Sequence, residues 1–389
     1  MRLRHPDGST VHLAYCTNVH PAEDLDGIIA QLDRCAVPIR ERLGTDRLGL
    51  GLWLARDVAT TLTEDGAALA RLRAELVARG LEVVTLNGFP YRGFQQPVVK
   101  HAVYRPDWTQ RARLDYTLDL ARLLTRLLPD DVEQGSISTL PLGWRLPWTD
   151  EHARESRALL DELAAGLTKT AVERGRTIRV GFEPEPGCVV ETTADAAVRL
   201  AGVDTDHLGV CLDTCHLAVG FEDPRQAWQR LAAAGLPVVK AQASCALEVP
   251  DPHRPEARAA LESFVEPRFL HQTREAAIGR PHGTDDLDEA LAEHGPLPGE
   301  QPWRVHFHVP LHADPPPPLA TTRPVLASSL EELLGGEAAR TRHIEVETYT
   351  WNVLPAEQRP AGGPVEGIAA ELDWTRRHLL ALGLTEVTR

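Results

Sequence analysis

Four short stretches of this sequence set carboxylates where an uncompensated charge is costly. In Thr177-Ile-Arg-Val-Gly-Phe-Glu-Pro-Glu-Pro-Gly187 the residues Ile178, Val180 and Phe182 alternate. If they face one way, Gly181 and Glu183 face the other, and Pro184 stops the strand just past them. Glu185 either continues that face or is a solvated loop residue. In Leu208-Gly-Val-Cys-Leu-Asp-Thr-Cys-His216, Cys211 and Asp213 share the face opposite Leu208, Val210 and Leu212, and His216 follows three residues on. Asp213 suits either a ligand role or a helix N-cap. Val238-Val-Lys-Ala-Gln-Ala-Ser244 puts Lys240, Gln242 and Ser244 on one face. His343-Ile-Glu-Val-Glu-Thr-Tyr349 turns Ile344 and Val346 one way and Glu345 and Glu347 the other. Two glutamates on one inward face demand a cation or protons.

Glu183, Asp213, Gln242 and Glu347 together make an oxygen-rich ligand set for one divalent metal ion. Oxygen ligands favour Mn, Mg or Co, and an added histidine shifts the preference toward Zn. Glu183 and Glu347 are also the candidate proton carriers, Glu347 ahead of Glu345 because it is nearer the strand end. Candidate substrate-binding groups are His216, Lys240, Asn18 and His20 (from Tyr15-Cys-Thr-Asn-Val-His20), His271 and His308. His306 and His308 form an HxH pair on one strand face, with His312 close behind and Asn87 ending another apolar run.

Such side chains need a scaffold that brings several strand ends together. Apolar runs alternate with amphipathic Arg/Ala/Leu-rich segments, the pattern of a parallel sheet with covering helices. Strands are expected at 11–16, 48–54, 82–86, 135–140, 177–183, 208–213, 237–242 and 341–347, with helices at 21–43, 64–79, 108–128 and 150–174. Eight strands predict a (β/α)8 TIM barrel of the α/β class, forming a single domain over residues 1–389. Its active site belongs at the C-terminal strand ends. An open doubly wound sheet is the alternative, but no glycine-rich phosphate loop follows the first strand. Residues 244–334 are too long for a barrel loop. They contain a proline-rich stretch and a ninth strand-like run at 303–311, and read as an insertion after strand seven that caps the mouth.

A net charge of −15 argues against a nucleic-acid partner. There are only three lysines, Lys100, Lys169 and Lys240, which makes an inward Lys240 notable. The six cysteines form no CxxC pair and read as reduced. No apolar run is long enough to span a membrane and no secretory signal precedes the first strand, so a cytoplasmic location is expected. The sequence carries no signature of a particular oligomeric state.

Gly-Phe-Glu-Pro-Glu-Pro-Gly, Leu-Asp-Thr-Cys-His and the final inward glutamate resemble the motifs of xylose isomerase-like TIM barrels, the sugar phosphate isomerase/epimerase superfamily. More closely, Ala-Tyr-Cys-Thr-Asn-Val-His-Pro, Phe-Leu-His-Gln-Thr and Glu-Val-Glu-Thr-Tyr-Thr-Trp are similar to the EboE metabolite traffic proteins, over almost the whole chain. The resemblance implies that Glu183, Asp213 and Glu347 are metal ligands and that His216 binds substrate. It also implies a strand-seven histidine ligand, where this chain has Gln242; a histidine of the insertion can take its place. The implied function is a metal-dependent isomerase or epimerase of a small polyol or sugar-like metabolite, sugar or cyclitol, in an ebo-type secondary-metabolite pathway. Two other classes stand beside it. One is a non-catalytic carrier of a pathway metabolite, and the other a metal-dependent hydrolase on the same barrel.

Overall fold

The computed structural model describes residues 1–387. Eight strands form the barrel: β1 (Thr10–Cys16), β2 (Leu48–Trp53), β3 (Leu81–Asn87), β4 (Gln134–Thr139), β5 (Thr177–Phe182), β6 (Leu208–Asp213), β7 (Val238–Ala243) and β8 (His343–Val346). Each pairs in parallel with the next, and β8 pairs back with β1 from His343↔His12 to Val346↔Tyr15, which closes the cylinder. A short antiparallel strand, Arg2–Arg4, covers the start of β1.

The helices between strands start and stop on local signals. Asp150–Arg174 begins at a capping box between Thr149 and His152 and ends at Gly175 in the left-handed region. The expected helix over 64–79 is Gly66–Ala78, which Asp65 caps with its side chain on the Ala67 and Ala68 amides; a separate helix, Arg56–Glu64, precedes it. The expected helix at 21–43 runs from Leu25 to Arg42 through a π turn at Leu32–Ala36.

TIM barrels usually fill their interior with branched apolar side chains; this one stacks polar groups. At the floor, Arg2 reaches Glu82 at 2.8 Å, beside His12. Above them, His343 Nδ1 lies 2.6 Å from Ser136 Oγ, which donates to Thr85. Higher still, Lys240 Nζ meets Glu345 Oε2 at 2.5 Å, both side chains fully buried. Gly51 on β2 makes that pair possible, since a Cβ there would lie 1.2 Å from Glu345 Oε1.

Between β7 and β8 the chain builds a second, five-stranded antiparallel sheet. Its order is His282–Thr284, Thr273–Glu275, Trp303–His308, Ala246–Val249 and Ala320–Thr321. The pairing of Trp303–His308 with Ala246–Val249 is interrupted by a bulge between Val305 and His308. The C-terminal helix, Gly363–Ala381, ties this region to the barrel through buried Glu371. Its Oε1 accepts from Leu311 N (3.1 Å) and Thr348 Oγ1 (2.6 Å), and its Oε2 from Trp351 Nε1 (3.2 Å). Among the described residues, no helix is long and apolar enough to cross a membrane.

Candidate active site

The strand ends deliver the expected carboxylates to one place. Glu183 N–H still donates to Thr139 O and Glu347 N–H to Ala243 O, so each glutamate is fixed as one more rung of its strand. Asp213 is both an N-cap and an inward group. Its Oδ1 accepts from His216 N (2.9 Å) and Ser244 Oγ (2.8 Å), while its buried Oδ2 has no partner. Glu347 Oε1 accepts from Asn18 (2.6 Å) and Asn87 (3.0 Å). Glu183 Oε2 is buried without a partner. Ligand oxygens of Glu183, Asp213 and Glu347 lie within 4.8 Å of one another. Burial first, and then the neighbouring carboxylates, push Glu183 and Glu347 well above the usual carboxylate range. Orphaned, crowded, buried oxygens of this kind fit a divalent cation.

A wall of nitrogen ligands faces these oxygens. His216 Nδ1 lies 3.0 Å from Pro184 O, His308 Nδ1 2.7 Å from Glu347 O and His306 Nδ1 2.6 Å from Gln272 Oε1. Each contact is to an acceptor, so each Nδ1 carries the proton. The Gln272 amide donates on to Tyr104 OH (3.0 Å), and that hydroxyl to Glu185 (2.8 Å). Burial lowers His216 to about 4 and also lowers His306 and His308, whereas Glu185 is raised to about 8, again by burial. The sheet bulge lies at the two histidines of the Trp303–His308 strand, and bulges re-aim side chains in this way.

Asn18, Glu183, His216, His308 and Glu347 line one cavity, an empty space of about 510 Å³ with its open mouth included. Its other wall is apolar and aromatic, formed by Phe89, Phe94, Val99, Phe269 and Tyr349. Lys100 reaches the rim but is paired with Asp286.

Other expected site residues lie elsewhere. Lys240 sits beneath the cavity against Glu345, which with its other neighbours keeps it charged despite burial, so it is an interior counter-ion and not a substrate contact. His20 packs on Tyr15 in a separate pocket under the first helix. His271 has both ring nitrogens engaged, by Glu266 Oε1 and His306 O at 2.8 Å each, and stacks on Phe307. It supports the strand that bears His306 and does not face the cavity. Gln242 is level with Asp213, accepts from Cys211 Sγ at 3.3 Å, and leaves its Nε2 buried without a partner. Tyr104, Gln272 and Tyr349 were not expected from the sequence. They reach the site by tertiary packing, and no local pattern announces them.

The structural and family comparisons agree with the barrel fold. A model described as xylose isomerase-like TIM barrel matches residues 42–295, well over half the chain. A xylose isomerase-like TIM barrel protein from Mycobacterium smegmatis, solved in complex with magnesium, superposes with a TM-score of 0.53 at 11% identity, covering 96% of this chain and 97% of that one. The IOLI protein with a bound zinc atom gives 0.51 at 14% identity over 95% and 99%. L-ribulose 3-epimerase gives 0.50 at 13% identity over 96% of each chain. No curated protein matches at a significant level. With the closed barrel and the extent of the family match both in hand, the chain belongs to the xylose isomerase-like TIM-barrel family.

Proposed function

We propose that this protein is a metal-dependent isomerase or epimerase acting on a sugar-like or cyclitol polyol, within a secondary-metabolite pathway of the ebo type. The observation that carries the reading is the convergence of buried oxygens of Glu183, Asp213 and Glu347, with both glutamates lining one half-apolar cavity. Relatives of the fold solved with magnesium or zinc, and an L-ribulose 3-epimerase among them, support it. The three carboxylates would hold the ion, with Gln242 beside Asp213 on the neighbouring strand. When bound, the ion supplies Lewis acidity toward adjacent substrate oxygens.

The chain's own groups do the rest. Glu183 and Glu347 both line the cavity, where a carboxyl can take and return a substrate proton. Asn18 and Asn87 fix the Glu347 carboxylate from one side, leaving its other oxygen toward the cavity. The inserted residues 244–334 serve as a cap, since Phe269, Leu270, His306 and His308 face the cavity and exclude water. Among the described residues that line the cavity, the one lysine or arginine is Lys100, and it is paired with Asp286, so no free basic side chain is offered to a phosphate. The substrate is therefore an unphosphorylated polyol whose less polar side lies on Phe94, Phe269 and Tyr349.

Deuterium wash-in tests this reading. Metal-loaded protein is incubated in D2O with unphosphorylated ketoses and ketocyclitols. Deuterium should enter at the carbon beside the carbonyl, and Glu347→Gln should slow entry by about 10²-fold or more with binding retained. Turnover without exchange would indicate hydride shift or hydrolysis. Gln242, standing where the family resemblance implies a histidine, favours a second reading, a non-catalytic carrier. Equal binding by wild type and Glu347→Gln with no turnover by either would support it.

A further inference from the structure

We propose that Glu185, His216 and His306 receive an ammonium group, so that the ligand of this cavity is an amino-substituted polyol, an amino sugar or aminocyclitol in class. The polyol half rests on the function proposed above; the ammonium seat does not. One cavity carboxylate is left over by the metal set. Glu183 and Glu347 belong to that set, whereas Glu185 lines the cavity outside it. Glu185 is 5% exposed, and among the described residues no lysine or arginine pairs with it; its charge-bearing neighbour is His306, whose Nδ1 lies 3.8 Å away. Its Oε1 accepts from Tyr104 OH at 2.8 Å, while its Oε2 has the weak thiol donor of Cys188 at 4.0 Å. A buried carboxylate served in this way lacks a counter-ion, which is costly until a cation arrives.

The two histidines add acceptors and no hydrogens. Pro184 O and Gln272 Oε1 accept, so the Nδ1 atoms of His216 and His306 donate to them and each Nε2 is a lone pair. Those two nitrogens face each other at 3.0 Å. One hydroxyl, Tyr349 OH, stands 3.4 Å from His306 Nε2 and can serve that nitrogen alone. One atom each of Glu185, His216 and His306 lies within 4.8 Å of the others, and all three residues line the cavity. A single ligand group can therefore reach all of them. An ammonium brings three N–H donors, no acceptor and a positive charge, which matches a carboxylate and two bare imidazole nitrogens. A hydroxyl brings one hydrogen and turns its own lone pairs on the acceptors it does not serve, so a plain polyol leaves the cluster short of donors. The seat also borders the aromatic wall through Tyr349, and ring faces attract cations.

Calorimetric titration near neutral pH tests the seat, on the full-length protein with and without added Mn²⁺. D-Glucose is compared with D-glucosamine and kanosamine, and scyllo-inositol with scyllo-inosamine. Each amine is also compared with its N-acetyl derivative, which keeps the nitrogen and loses the charge. At least one amine should bind about 10–100-fold tighter than both its parent and its N-acetyl form, the range of a hydrogen bond to a charged group. Glu185→Gln keeps the shape and the Tyr104 contact but not the charge, and should bring the ratio of amine to parent affinity down to about one. His306→Asn should lower that ratio by about 5-fold, as one neutral hydrogen bond would. Circular dichroism checks that both variants fold. Amines that bind no better than their parents overturn the proposal, and this wild-type comparison decides even where a variant does not fold. So does an amine advantage that survives Glu185→Gln, or one that the N-acetyl form shares. An amine advantage with no deuterium exchange on any compound upholds the ammonium seat while the isomerase reading fails. Exchange on neutral polyols with no amine advantage upholds that reading and overturns the seat.

Discussion

Asp213 divides its two oxygens between two jobs. One ties down the turn that carries His216, and the other is buried with no hydrogen-bond partner. The two functional readings of that residue from sequence were therefore not exclusive. Glu347 is held differently, by two amides on one oxygen, and this leads to a prediction. Asn18→Leu removes the shorter of the two contacts and should weaken Mn²⁺ binding by about 10–100-fold, read by paramagnetic resonance titration, with little change in melting temperature. An unchanged affinity would mean Asn87 alone sets the carboxylate. The strand-end carboxylates were legible because alternation in Ile178–Phe182 and Ile344–Val346 leaves one choice of inward residue. The fates of Lys240, His20 and His271 were not. Lys240 depends on Glu345, far along the chain, whereas His20 and His271 are held by Tyr15 and Glu266, five residues away, in contacts that no strand or helix period announces.

At the level of elements, β2, β7 and β8 meet at the Lys240–Glu345 pair, with Gly51 leaving the space. Lys240→Met strands a fully buried carboxylate and should cost about 3–5 kcal/mol in denaturant unfolding. The double change Lys240→Met/Glu345→Leu should recover most of that, because no charge is left unpaired. If the single and double variants are equally unstable, packing and not charge is what the pair supplies. Gly51→Ala should destabilise by about 1–3 kcal/mol, since the new methyl occupies the Glu345 carboxylate's position. The eight strands could be read from sequence to within a residue or two, since each is a short β-rich run bounded by turn residues. The five-stranded sheet between β7 and β8 could not. Its strands are mostly two to four residues long and pair across gaps of up to tens of residues, so only the longest, Trp303–His308, left a periodic trace.

For the whole molecule, two buried glutamates at opposite ends of the chain's packing set opposite pH limits. Burial alone would raise Glu82, but hydrogen bonds from His12 and Arg2 hold it far below the usual 4.5. A depressed carboxyl stabilises the fold above its unfolded value and loses that contribution as pH falls toward the folded value. Glu371 is the reverse, raised by burial from 4.5 to about 7. Its contribution is complete below 4.5 and lost as pH rises through about 7, a difference on the order of 3 kcal/mol. Melting temperature against pH should therefore fall on both sides. Glu82→Gln should flatten the acid limb and Glu371→Gln the neutral-to-alkaline one. A Glu371→Gln variant that keeps the wild-type decline from pH 5 to 8 would show that this clasp titrates elsewhere.

The trio Gly51, Lys240 and Glu345 also bears on how such a barrel can change over generations. Any lineage that replaces the lysine first passes through a chain with a stranded acid, and one that enlarges the glycine first evicts the acid from its seat. Neither step is tolerated alone unless stability has accumulated elsewhere. The three positions should thus be inherited as a block, swapped together or kept together, while the cavity above them drifts to new metabolites.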